Sequence, residues 1–448
     1  MSNSFQDMNL NAPLYQALEK MGITQPTLIQ VEAHAPILSG RDVVGISQTG
    51  TGKTFAYLLP LLKNMQNSRQ IPPQLIIMVP TRELVVQVVE EVEKLTEFMP
   101  LRVGGVYGGT NMNTQKFVVT EGLDVLVGTP GRLYDLMVEQ HLSTKLTKKF
   151  VIDEIDVMLD LGFRFQIMNI LELLPKCQHI MFSATMTDEV ANLIEAEFQN
   201  PLQVSVAKSG TPLENIEQNC YWVANAYTKV NLLGYILTDK ENCTKVLIFV
   251  ANKRQADWLY EELDNRLENQ VGVIHSNKSQ NFRLNALDEF KKGKKRVLIA
   301  TDIMARGIDI DDISHVINFD VPQYPENYMH RIGRTGRAAK KGIAITLSTE
   351  KEWEDKEAIE AYMELEMNWL DFPEDVPVAL RLTEEEKPKQ KEIQSKLKQK
   401  KIEKGASSHE KSKKNQKVNL GGSYHRKIKE KYKKPKTRGD KGQNRKKR

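Results

Sequence analysis

Short apolar runs recur along this chain, each followed by a longer amphipathic stretch. Residues 43–46, 75–79, 125–127, 150–152 and 179–182 form one series, and 245–250, 271–274, 296–300, 315–319 and 343–347 form a second. Runs of this length, rich in Val and Ile and bounded by turn residues, predict strands buried on both faces, and the segments between them are long enough for helices. That alternation predicts an α/β fold of parallel sheets covered by helices on both sides. The two series are separated by Lys208-Ser209-Gly210-Thr211-Pro212, whose Gly and Pro predict a linker. The expected organisation is one α/β domain over 1–207, a linker over 208–212 and a second α/β domain over 213–370.

Composition changes this picture at one end. The segment 371–448 turns Lys-rich, and beyond 383 it has almost no large apolar residues. Such a sequence buries too little surface to offset its ordering entropy, so a largely disordered tail is expected. The net charge of +5 hides an asymmetry: residues 381–448 hold 26 Lys/Arg against 8 Asp/Glu, and residues 1–380 hold 37 against 50. An acidic body with a basic tail predicts a polyanion partner for the tail. No apolar run is long enough to cross a membrane, and the first residues lack the pattern of a secretory signal. Cys177, Cys220 and Cys243 have no metal-type spacing and fit buried thiols in a reducing compartment. A cytoplasmic location without membrane contact is expected.

The candidate chemistry starts at Ser47-Gln48-Thr49-Gly50-Thr51-Gly52-Lys53-Thr54, between a predicted strand and a predicted helix. Glycines there let the backbone turn tightly and aim N–H groups at phosphate oxygens, and a helix start adds positive potential. Lys53 would reach the β- and γ-phosphates and the Thr54 hydroxyl would ligate Mg²⁺. The apolar run at 150–152 ends in Asp153-Glu154-Ile155-Asp156. Asp153 suits the metal-binding acid at the end of a neighbouring strand, and Glu154 suits orientation and deprotonation of the attacking water. Three further turns follow strands: Pro80-Thr81-Arg82, Thr129-Pro130-Gly131-Arg132 and Ser183-Ala184-Thr185. In an open α/β sheet they belong on one ligand-binding edge, where Arg82 and Arg132 can hold phosphate. The second domain carries Thr301-Asp302, Arg306-Gly307-Ile308-Asp309 and His330-Arg331-Ile332-Gly333-Arg334-Thr335-Gly336-Arg337, a dense donor array suited to charge on a γ-phosphate.

These motifs, in this order, resemble those of the DEAD-box RNA helicases of superfamily 2, in a bacterial-looking two-domain form, over about residues 1–350. The resemblance implies two tandem RecA-like domains, with ATP and Mg²⁺ bound between them and RNA as partner. It implies that Phe5 stacks on adenine and that Gln25 and Gln30, in and after Gly22-Ile23-Thr24-Gln25-Pro26-Thr27, belong to the adenine-recognising segment. Ser47, Gln48, Thr49, Gly50, Thr51, Gly52, Lys53 and Thr54 become the nucleotide loop, and Asp309 a ribose ligand. Pro80, Thr81, Arg82, Gly108, Gly109, Thr129, Pro130, Gly131, Arg132, Arg283 and Thr301 become RNA contacts, with His275 and Gln280 in the same second-domain RNA motif as Arg283. Lys53, Glu154, Arg334 and Arg337 take the catalytic roles, Thr54 and Asp153 the metal. Ser183, Thr185, Asp156 and His330 couple hydrolysis to strand separation.

Three positions depart from the family pattern. Ile155 stands where the family has Ala, Ser47 where Ala is usual, and Ser276 where Gly is usual after His275. The resemblance implies RNA-stimulated ATP hydrolysis that unwinds duplexes locally, gripping RNA through phosphates and 2′-hydroxyls, with the basic tail as an RNA tether. An ATP-dependent RNA clamp or annealing chaperone is the alternative, and a DNA helicase is a third reading that the adenine segment and Pro80-Thr81-Arg82-Glu83-Leu84 disfavour.

Overall fold

A computed structural model describes residues 4–47, 50–206, 215–302, 310, 312–336 and 341–387. Gln48, Thr49, the linker 208–212, Arg306, Asp309, Arg337 and the sequence beyond Lys387 lie outside the described residues. Residues 1–387 form one compact unit.

That unit contains two seven-stranded sheets, and all strand pairs in them are parallel. The first comprises β1 (Val43–Ile46), β2 (Leu75–Met78), β3 (Val103–Val106), β4 (Val125–Gly128), β5 (Lys149–Asp153), β6 (Gln178–Ser183) and β7 (Leu202–Ser205), in the order β3-β4-β2-β5-β6-β1-β7. The second comprises β8 (Ile216–Trp222), β9 (Val246–Val250), β10 (Val271–Ile274), β11 (Val297–Thr301), β12 (His315–Asn318), β13 (Gly342–Ser348) and β14 (Asn368–Trp369), in the order β10-β11-β9-β12-β13-β8-β14. β1, β2, β4, β9, β10 and β12 are buried at every position, as their unbroken apolar runs require. Helices cover both faces of the first sheet, giving one core with Leu59, Val88 and Phe182 and another with Leu133, Ile155 and Met181. Among the described residues no helix is long and apolar enough to cross a membrane.

One boundary differs from the sequence expectation. Residues 371–387, assigned above to the tail, pack back onto the second domain. Val376 is buried in its core, Asn225 Nδ2 donates to Ala379 O at 2.6 Å, and the Ala226 N–H donates to Glu386 Oε1 at 2.7 Å. Phe372 and Val376 give the segment apolar anchors, and Glu386 meets the positive end of helix Ala226–Ile236.

Candidate active site

The carboxyl ends of β1, β5 and β6 lie side by side, because β6 pairs with both others. Ser47 follows β1, and its N–H donates to Ser183 O at 3.0 Å, tying the start of the glycine-containing loop to the end of β6. Gly52 caps helix Lys53–Lys63 in the left-handed region at φ 88°, and a Cβ there would lie 2.5 Å from Gln30 Nε2. Only glycine fits both constraints. Lys53 and Thr54 are thus the first two residues of a helix, whose start carries unpaired N–H groups suited to an anion.

Three charged atoms meet there, each buried with no hydrogen-bond partner among the described residues: Lys53 Nζ, Asp153 Oδ1 and Glu154 Oε2. Burial of an ammonium and two carboxylate oxygens in this way is costly unless a ligand completes their shells. Asp153 Oδ2 accepts from the Tyr57 hydroxyl at 3.0 Å. The Asp153 carboxyl is pushed up to about 6, first by burial and then by Glu154, against the pull of Lys53 and the Tyr57 hydrogen bond. Glu154 takes a left-handed conformation, φ 55° and ψ 51°, at the start of helix Ile155–Asp160. Backbone strain in a non-glycine residue is the kind stored at functional sites. Among the described residues no three His, Cys, Asp or Glu are arranged to hold a metal unaided. The donors instead fit Mg²⁺, which takes one or two protein oxygens and completes its shell with phosphate and water.

Asp156 is bound from two directions. Its Oδ2 accepts from the Ala184 N–H at 3.1 Å, the Thr185 N–H at 3.0 Å and the Thr185 hydroxyl at 2.9 Å, and its Oδ1 accepts from the Val157 N–H at 3.0 Å. From the second domain, His330 Nε2 approaches Oδ2 to 3.6 Å. Burial opposes ionisation of Asp156, but His330, Lys53 and these hydrogen bonds outweigh it and hold the carboxyl below its ordinary range. Ser183 is fully buried and donates to Thr185 O at 2.7 Å, so it fixes the turn. Arg334 is buried beside this contact, its Nε donating to His330 O at 3.2 Å.

The expected RNA residues gather in a second place. Pro80, Thr81, Arg82, Gly108, Gly109, Thr129, Gly131, Arg132 and Arg283 line one cleft of about 710 Å³ between the two domains. A Cβ on Gly109 would lie 2.1 Å from Arg82 Nη1, so the missing side chain makes room for that guanidinium. Arg132 is braced inward, Nη1 donating to Gln115 Oε1 at 2.7 Å and Nη2 to Thr110 O at 3.3 Å. Across the cleft, Arg283 Nη1 lies 3.3 Å from Glu83 Oε1, and Gln280 Nε2 donates to the same oxygen at 3.3 Å.

Four expected positions sit elsewhere. Pro130 is buried at the first turn of helix Pro130–Val138 and is absent from the cleft wall, because a proline there serves the helix start. Thr301 lines a neighbouring cleft of about 550 Å³ with Asp156, Thr185, Asp302 and His330, and is absent from the cleft that holds Arg82. Phe5 is buried in the first core, and Gln25 is exposed. Gln30 already accepts from the Thr27 N–H at 2.9 Å and donates to Gly52 O at 3.2 Å. These two bonds use one N–H and one lone pair of its carboxamide.

Sequence reasoning missed Tyr57, Gln115, Asp257 and Lys278. Asp257 Oδ1 accepts from His275 Nε2 at 2.9 Å and pairs with Lys278 at 2.8 Å, and Lys278 lines the cleft. None of the four sits in a motif. Only Tyr57 carried a signal, being four residues beyond Lys53 and so on the same helix face.

Comparison with known proteins agrees with this arrangement. The family model described as DEAD/DEAH box helicase matches residues 27–193, and the one described as helicase conserved C-terminal domain matches 228–339. The DEAD-box ATP-dependent RNA helicase RhpA of Helicobacter pylori is 35% identical over 371 residues, covering 83% of this chain and 74% of its own length. The DEAD-box ATP-dependent RNA helicase CshA of Bacillus cereus is 38% identical over 371 residues, covering 83% and 70%. The structure of S. cerevisiae Dbp5 bound to RNA and ADP BeF3 superposes with a TM-score of 0.76 at 31% identity, covering 82% of this chain and 95% of that one. Two parallel-sheet α/β domains of this kind match RecA-like helicase structures. The chain belongs to the DEAD-box family of ATP-dependent RNA helicases, which are ATP-hydrolysing enzymes.

Proposed function

We propose that this protein uses RNA-stimulated ATP hydrolysis to separate short RNA duplexes by bending one strand locally. The observation that supports this most is Asp156, whose Oδ2 is shared by Thr185 of the first domain and His330 of the second. It lies two residues beyond the proposed base, Glu154, and lines the cleft that also holds Thr301 and His330. A change around Glu154 therefore reaches the second domain through bonded groups, Asp156 with Thr185 and His330.

Lys53 holds the β- and γ-phosphates. Thr54 and Asp153 would hold Mg²⁺, which when bound would offset phosphate charge. Glu154 Oε2 orients the attacking water and takes its proton, while Arg334, with Arg337, offsets charge developing on the γ-phosphate as the domains close. Gln30 reads adenine with its remaining donor and acceptor, Phe5 and Gln25 flank that segment, and Asp309 holds the ribose. Arg82, Arg132, Arg283 and the backbone at Gly108, Gly109, Thr129 and Gly131 grip phosphates, so sequence preference is low. Residues 388–448 tether RNA through counterion release. The action takes place in the cytoplasm.

A strand-displacement assay on a short RNA duplex tests the reading. Displacement that requires hydrolysable ATP supports it; displacement or annealing equal with and without ATP would identify a clamp or annealing chaperone instead.

A further inference from the structure

The second sheet ends in an exposed aromatic surface that neither cleft uses. β14 is an edge strand of two exposed residues and pairs on one side only, with β8. Its Trp369 stacks on Trp353, the first residue of helix Trp353–Met363, with ring centroids 5.7 Å apart and planes 15° apart. Trp369 is 46% exposed, Trp353 38%, and Leu365, in the turn joining helix to strand, 43%. Lys356, buried, fixes the pair: its Nζ lies 5.1 Å from the Trp353 ring and 4.6 Å from the Trp369 ring, and donates to Glu360 Oε2 at 2.7 Å. Single exposed apolar side chains are ordinary, but two indoles held in one stack form a patch. Tryptophans that lose little entropy on contact are typical interface anchors.

Charge indicates what covers the patch. Residues 350–375 contain eleven Asp and Glu against two Lys, one of which is the buried Lys356. Glu357, one helical turn beyond Trp353, and Asp371, two residues beyond Trp369, are exposed, as are Glu354 and Glu366. Crowding raises the Asp355 carboxyl above its ordinary range, burial first and then Glu352 and Glu354. A phosphate backbone is repelled by such a surface. A guanidinium finds an aromatic face and carboxylates together, and its planar, weakly hydrated head suits both. Lys356 already places a cation against the pair from within.

We infer that this face docks an extended arginine- and lysine-rich segment of a partner protein, with a guanidinium on the indole pair and flanking basic residues on Glu357 and Asp371. None of these residues lines either of the two clefts or belongs to the proposed ATP site, so this face is separate from the proposed function.

The test uses the full chain, a fluorescein-labelled Arg/Gly/Ser peptide, an Ala/Gly/Ser control, and a benzoylphenylalanine cross-linker in place of Leu365. The arginine peptide should bind, cross-link and weaken with salt. Trp369→Ala should weaken it at least about tenfold, as expected of an aromatic anchor. The double variant Glu357→Lys, Asp371→Lys should do the same without disturbing the packing around Lys356, and neither should change ATPase activity. Unchanged affinity in the double variant overturns the inference. So do cross-links running from position 365 to residues 388–448 of the same chain, or to a second copy, since each names a different occupant.

Discussion

Asp156 Oδ2 lies 3.6 Å from His330 Nε2, and the two residues belong to different sheets' domains. The same oxygen accepts three hydrogen bonds from Ala184 and Thr185, so His330 meets a carboxylate already fixed in position. Replacing His330 with Ala should cut RNA-stimulated ATPase by about ten- to a hundredfold, the range for losing one charge-assisted contact. Basal ATPase should fall much less. If basal and stimulated rates fall by the same factor, His330 does not couple the clefts.

Tyr57 is the residue through which the helix Lys53–Lys63 holds the proposed metal ligand, at 3.0 Å from Asp153 Oδ2. Tyr57→Phe keeps the ring in the core and removes only that hydroxyl. The Mg²⁺ concentration for half-maximal ATPase should rise about ten- to a hundredfold, as for other residues that orient metal ligands. A Mg²⁺ titration identical to that of the native protein would show that the hydroxyl does not set the carboxylate's position.

Gly109 has φ 77°, and a Cβ there would collide with the Arg82 guanidinium. Gly109→Ala should cost about 1–2 kcal/mol in backbone strain and displace Arg82. RNA affinity should fall about tenfold through the lost charged contact, with basal ATPase retained. Retained affinity alongside a displaced Arg82 would remove that arginine from the RNA contacts.

Asp153 gives a pH signature in the nucleotide- and metal-free protein. Its carboxyl is raised to about 6 from an ordinary 3.8, so its contribution to stability is fully present below the ordinary value and is lost as pH rises through about 6. Asp153→Asn, which mimics the protonated form, should match the native melting temperature near pH 4. Above pH 6 it should be more stable by about 2–3 kcal/mol, the equivalent of the shift. Melts recorded in EDTA across this range check the sign; a difference that does not open between pH 4 and 6 would contradict it.

Sequence pattern located the strands that are unbroken apolar runs, the buried edge strand β10 among them. It passed over β3, β7 and β14, which are sheet edges, and β8 beside one. β3 reads Val-Gly-Gly-Val and β7 reads Leu-Gln-Val-Ser, with burial alternating as half-solvated edges allow. The glycine loop, Asp153 and Glu154 were legible because phosphate chemistry restricts which residues fit. Tyr57, Gln115 and Asp257 were not, because a hydroxyl, amide or carboxylate that orients another side chain has no fixed sequence offset from it. Ile155, the departure from the family's namesake motif, is fully buried in the core between β5 and the helices covering it, which accommodates its extra carbons.

Glu154 Oε2, buried and unpartnered among the described residues, is the proposed base. Single-turnover hydrolysis with saturating ATP, Mg²⁺ and RNA measures it directly in Glu154→Gln, which keeps size and hydrogen-bonding capacity but removes basicity. The account predicts a hydrolysis rate lower by at least about a hundredfold, with ATP and RNA binding retained. Hydrolysis at the native rate would contradict it.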